Sequence, residues 1–191
     1  VAHPAPPVLG PGPGSVNVLI GGMPAWRGMP LAAVAGLTSA KASSDAAVAT
    51  AVAASTAAAG TPGAPAAIAA ETTAKQTASS SMAAAMSAGG AGADVHMCAT
   101  PFPPTVPLPH SQGMVITGSL TVMINNLPAC RAGDTILECM GPPNSIVMGC
   151  PTVIIGDSMY VGQGAALATA AGATSTLPVP EGHTRVYRAV S

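Results

Sequence analysis

The densest group of potential ligand residues in this chain runs Asp94-Val95-His96-Met97-Cys98, with His110 following after a proline-rich stretch. Zinc favours four ligands drawn largely from thiolate and imidazole. His96 and Cys98 stand two apart, so on an extended segment their side chains point to the same side. Pro101, Pro103, Pro104, Pro107 and Pro109 stiffen the connection to His110 and lower the entropy lost when it closes on an ion. His3 is the candidate fourth ligand, brought from the start of the chain, and Cys139 is the competing thiolate. Cys130 and Cys150 lie in apolar runs and read as small buried hydrophobes. His183, far along the chain, is given no metal role. The spacing matches no common zinc-finger pattern, and an even cysteine count also permits two disulfides.

Other chemistries find little purchase. There is no Gly-x-Ser-x-Gly elbow for a serine nucleophile. The glycines of Gly10-Pro11-Gly12-Pro13-Gly14 alternate with prolines where a phosphate loop needs backbone donors. The carboxylates Asp94, Asp134, Glu138 and Asp157 are scattered and form no evident acid/base pair. A net charge of −1 without a basic patch argues against nucleic-acid binding.

Something must position these ligands, and composition says that apolar burial alone does so weakly. Hydrophobic residues make up 49% of the chain but aromatics only 2%, and much of the apolar fraction is alanine. A thin core of this kind is usually reinforced by a metal, disulfides or a partner. Three stretches resemble one another: 14–27, 118–131 and 149–159. Each carries a β-branched strand ending in Gly21-Gly22, Asn125-Asn126 or Gly156-Asp157, dipeptides that tolerate positive φ in tight hairpins. Preceding strands are expected at 114–117 and 145–148. The reading is mainly β: a small three-hairpin cone with pseudo-threefold symmetry.

Between the first two repeats lies an Ala-, Ser- and Thr-rich segment, about 31–92. Alanine is the best helix former, Pro30 and Pro65 suit helix starts, and Gly60-Thr61-Pro62-Gly63 and Gly89-Gly90 suit stops. This predicts an inserted α-helical hairpin over about 31–59 and 65–88. Lys41, Asp45, Glu71 and Lys75 interrupt it, which argues against a stable transmembrane span. Residues 161–180 read as a linker, and 181–191 as the start of a truncated further domain.

Pro24-Ala25-Trp26-Arg27 and Pro128-Ala129-Cys130-Arg131 resemble the Pro-Ala-Ala-Arg signature of the PAAR-repeat family, and Arg131-Ala132-Gly133-Asp134 resembles the Arg-x-Gly-Asp that usually follows it. The resemblance extends over about 1–30 and 93–158. It implies a zinc-stabilised tip seated on the trimeric valine-glycine repeat (VgrG-type) spike protein of a bacterial type VI secretion system. It further implies a ligand set of three His and one Cys, which His3, His96, Cys98 and His110 satisfy, as do His3, His96, His110 and Cys139. The discontinuous cone would occupy 1–30 and 93–160. The implied protein is a delivery module rather than an enzyme: monomeric by itself, made in the bacterial cytoplasm and secreted by that system, with any activity in a C-terminal effector domain. Some relatives carry helices held by a dedicated effector chaperone, a possible partner for the insertion. Two departures stand out. Trp26 replaces the second Ala, and Gly28-Met29 stands where Gly-Asp is expected. The competing readings are a catalytic zinc enzyme, which needs an open coordination position, and a secreted, disulfide-stapled binding module.

Overall fold

The computed structural model describes residues 14–102 and 106–156. The short hairpin β1 (Leu19–Ile20) and β2 (Met23–Pro24) comes first. Two long helices follow, α1 (Leu31–Ala57) and α2 (Ala64–Gly89). Next come β3 (Val95–Phe102) and β4 (Leu108–Val115), then a second short hairpin, β5 (Met123–Ile124) and β6 (Leu127–Pro128). Finally β7 (Thr135–Glu138) and β8 (Asn144–Ser145) join β3 and β4 in an antiparallel sheet of order β3-β4-β7-β8.

The helices hold 27 and 26 residues, more than the short strands around them, so the fold is mixed rather than mainly β. The Ala-rich insertion is responsible: it folds as two helices close to the expected limits and outweighs the repeats it interrupts. Among the described residues the chain shows two matching hairpins, not three. Residues 149–156 carry a turn, with Val153 N donating to Cys150 O at 3.3 Å, but no strand. Residues 157–159, the rest of the expected third repeat, lie outside the described residues, as do the expected linker and the further domain.

The first two repeats match in their turns and main-chain bonds. Gly21 and Gly22 adopt φ of 60° and 79°, and Asn125 and Asn126 adopt 52° and 64°, the paired positive values a two-residue type I′ hairpin requires. Ser15 N donates to Ala25 O, and Ser119 N to Ala129 O, both at 2.8 Å. The serine hydroxyls accept from Val18 N at 3.1 Å and Val122 N at 2.9 Å, and these bends keep the strands short. The two repeats join through the antiparallel bridge Arg27↔Ala129.

The match also explains the missing Gly-Asp after Arg27. Arg131 N and its guanidinium bond Asp134, with N–Oδ2 at 2.7 Å and Nη2–Oδ1 at 3.0 Å. Arg27 makes the same contacts with Asp94, at 2.8 and 2.7 Å. Asp94 N donates to Arg27 O at 3.0 Å, as Asp134 N does to Arg131 O at 3.1 Å. The helical segment is therefore spliced into the Arg–Asp turn of the first repeat, and Asp94 closes that turn from the far side of the insertion.

The buried positions of α1 are Leu37, Lys41, Val48 and Ser55, and those of α2 are Glu71, Lys75, Ala78, Met82 and Met86. Both sets recur at three, four or seven residues, which is one face of a helix. Ser55 of α1 bonds Glu71 early in α2, and a Cβ at Gly89 late in α2 would touch Ala33 early in α1, so the helices run antiparallel. Methionines fill the space against the sheet: Met29, Met82 and Met86 pack in one cluster with Met114, Leu137, Cys139 and Met140. Long unbranched thioethers suit the irregular gap between an Ala-rich surface and a sheet. Neither helix is long and apolar enough to cross a membrane.

Candidate metal centre

Strand alternation builds the site. Along β3, His96 and Cys98 are buried while Met97 between them is exposed, as period two requires. His96 pairs with Gly113 of β4, and Gly113 in turn pairs with Glu138 of β7, so His96 and Glu138 flank a glycine in one cross-strand row. A Cβ at Gly113 would come within 3.1 Å of Glu138 Cγ and 2.8 Å of Leu137 O. The absent side chain leaves room for the two flanking groups to meet. Cys98 pairs with Ser111, one residue beyond His110, near a register shift between Cys98 and Pro101.

Glu138 is the hub. Its Oε1 lies 3.1 Å from His96 Nε2, and its Oε2 lies 2.7 Å from His110 Nδ1. Asn144 Nδ2 donates to Oε1 at 3.4 Å. His96, His110 and Glu138 are 0%, 1% and 0% exposed, so this polar cluster is sealed from water. Burying such groups is costly unless they pair with one another or with a cation. Ligand atoms of His96, Cys98 and Glu138 all lie within 4.8 Å of one another. A tetrahedral zinc with bonds of about 2.0–2.3 Å separates its ligand atoms by roughly 3.5 Å, so these groups are clustered on the scale of an ion centre. An imidazole nitrogen and a thiolate sulfur suit a borderline-soft divalent ion, and the Glu138 carboxylate holds the imidazoles. Burial raises the pKa of the Cys98 thiol, opposed by hydrogen bonds from Thr100. A bound cation would reverse that preference, because metal ligation requires the thiolate.

His96, Cys98 and His110 converge on Glu138. His3 lies outside the described residues. Cys139 follows Glu138 and points the other way, its Sγ 3.9 Å from Met86 Sδ within the methionine cluster. Burial there pushes its thiol up to about 11. All four cysteines are free thiols. Glu138, which the sequence shows only as one of several scattered carboxylates, is the residue that spacing does not single out. The available signal was a lone charge inside the apolar run Thr135-Ile136-Leu137-Glu138-Cys139-Met140.

Around His110 the walls are close. Its ring meets Phe102 edge-on, with centroids 6.0 Å apart. A Cβ on Gly141, whose φ is 77°, would lie 2.6 Å from His110 Cε1. Only glycine offers both that conformation and that clearance.

Residues 107–174 match the family model described as PAAR motif. Over that segment the chain carries the motif that its sequence resembles, and the segment includes His110, Glu138 and Cys139. No curated protein and no solved structure matches the chain.

Proposed function

We propose that this chain is the metal-stabilised tip of a type VI secretion spike, capping the trimeric valine-glycine repeat spike protein and carrying an effector. The observation that carries the reading is the PAAR motif match over 107–174, which is consistent with a spike-tip role. The metal is zinc in a structural role. His96, Cys98 and His110 hold it with His3, and Glu138 orients the two buried imidazoles, as outer-shell carboxylates do for metal-bound histidines. When bound, the ion contributes folding free energy where the apolar core is thin. The burial of His96, His110 and Glu138 supports a closed structural site over a catalytic one, which needs an open position.

The surface of the repeats supports a partner. Leu19 and Met23 on the first repeat, Met123 on the second, and Met148 and Ile154 beyond them are 63%, 66%, 54%, 82% and 90% exposed. Met23 and Met148 line one cleft together with Ile20 and Trp26, a contiguous apolar surface of the kind that marks a protein interface, and short hairpins can extend a partner's strands. In this reading the cone spans 1–30 and 93–160, and the insertion spans 31–92, where an effector chaperone could bind. The chain is a monomer by itself, made in the bacterial cytoplasm and exported by the type VI system, with any catalytic activity in a C-terminal effector domain.

Metal analysis with thiol titration tests the centre. About one zinc per chain, lost in both Cys98→Ser and His110→Ala, is the expected result. Two disulfides and no metal would overturn it. Binding to a purified trimeric spike protein tests the partner separately, and no complex at micromolar concentration would refute the capping role.

A further inference from the structure

The helical insertion touches the candidate metal centre through two buried lysines. Lys41 of α1 is 5% exposed, and its ammonium donates to Gly141 O at 3.0 Å while pairing with Asp45 one turn on. Gly141 is the residue against which the His110 ring packs. Lys75 of α2 is 0% exposed. Its ammonium donates to Val106 O at 2.8 Å, just ahead of β4, and stands 5.3 Å from the centroid of the Phe102 ring, the other wall of His110. Glu71 pairs with it at 2.6 Å and ties it to Ser55 of α1.

Buried lysines are rare because desolvating an ammonium is expensive. Apolar residues would pack the helices on the sheet at lower cost. Besides its carboxylate partner, each ammonium bonds a backbone carbonyl, of Gly141 or Val106, and Gly141 and the Phe102 ring beneath Lys75 are the walls of His110. We propose that Lys41 and Lys75 are positioning residues for His110. The inserted hairpin is thereby part of the support of the metal centre, and its docking on the sheet and ion retention are thermodynamically linked. By reciprocity, an ion held by His110 favours docked helices, and anything that lifts the helices off the sheet loosens the ion.

The inference rests on the metal reading above, so the test separates the two. Zinc release from the intact chain to a chromophoric chelator is followed for the wild type, Lys41→Met, Lys75→Met, Lys41→Arg and Thr50→Ala. The visible spectrum of the cobalt(II)-loaded chain is recorded in parallel. Loss of an outer-shell support typically costs about 10-fold or more in metal affinity. The methionine variants should release zinc about 10-fold faster with an altered cobalt spectrum. Lys41→Arg should recover the wild-type rate, because it restores a donor to Gly141 O. Thr50→Ala changes an exposed side chain of α1 that bonds only Ala46 O, away from both lysines and their carboxylates, and should match the wild type. If Lys75→Met does not fold, the Lys41 pair of variants decides. Methionine variants with wild-type release and spectrum overturn the inference and leave the metal reading standing. Equal acceleration in Thr50→Ala also overturns it, by showing an effect that does not depend on the buried lysines. A wild type that takes up no metal overturns the metal reading itself.

Discussion

At the scale of single residues, Glu138 decides how the centre is organised. Glu138→Gln keeps the shape but lets only one of its two terminal atoms accept a hydrogen bond, so one histidine loses its partner. Zinc affinity measured by chelator competition should fall about 10-fold. Cys98→Ser should abolish binding, whereas Cys139→Ser should mainly lower the unfolding midpoint by placing a hydroxyl against Met86. The reverse pattern would make Cys139 the thiolate. The remaining cysteines differ in reactivity. Burial raises the pKa of Cys130, while a hydrogen bond with Thr152 lowers that of Cys150. A lower pKa leaves more thiolate at neutral pH, so Cys150 should be alkylated fastest and Thr152→Ala should slow it. Mass spectrometry after brief iodoacetamide exposure reads both. His96 and Cys98 were legible in the sequence because alternation puts them on one side of a strand. Glu138 was not, because its importance comes from a row across three strands, and Gly113 at the centre of that row offers no side chain to read.

At the scale of elements, turn chemistry was the most legible feature. Gly21-Gly22 and Asn125-Asn126 specify positive φ, and both turns form. Asn126→Val should cost about 1–2 kcal/mol in chemical denaturation, because a β-branched residue is strained in the left-handed region. The helices were legible from alanine content and flanking prolines. Their docking was not: Lys41 and Lys75 read only as interruptions of an apolar segment, yet they are buried against Gly141 and Val106. Only the tertiary fold brings Gly141 and Val106 beneath them. The Arg27–Asp94 pair was hidden for the same reason, since its partners stand far apart in sequence. Asp94→Ala and Asp134→Ala should destabilise the chain to a similar extent, about 3 kcal/mol each, by leaving a guanidinium without its carboxylate. Markedly unequal losses in matched urea titrations would contradict the equivalence of the two turns.

At the scale of the whole molecule, metal and partner can be varied independently. Removing zinc with a chelator should lower the thermal midpoint by about 10 °C, the effect of losing a ligand present at several hundred times its dissociation constant. Met148→Asp and Ile154→Asp should weaken association with a trimeric spike while leaving zinc content unchanged, because both side chains are exposed whereas the groups of the centre are buried. Loss of zinc in either variant would tie that surface to the centre instead.

The split turn gives the molecule an attachment port. Arg27 and Asp94 hold the two ends of the insertion at hydrogen-bond distance, as the uninterrupted turn at Arg131 and Asp134 does unaided. Loop-closure cost grows only with the logarithm of length, so the clamp fixes where the excursion leaves and returns with little regard for how long it is. A different pair of helices could therefore be grafted between these residues as cargo or handle. The graft would need to supply an apolar face for Met114 and Leu137 and two amines at the places of Lys41 and Lys75.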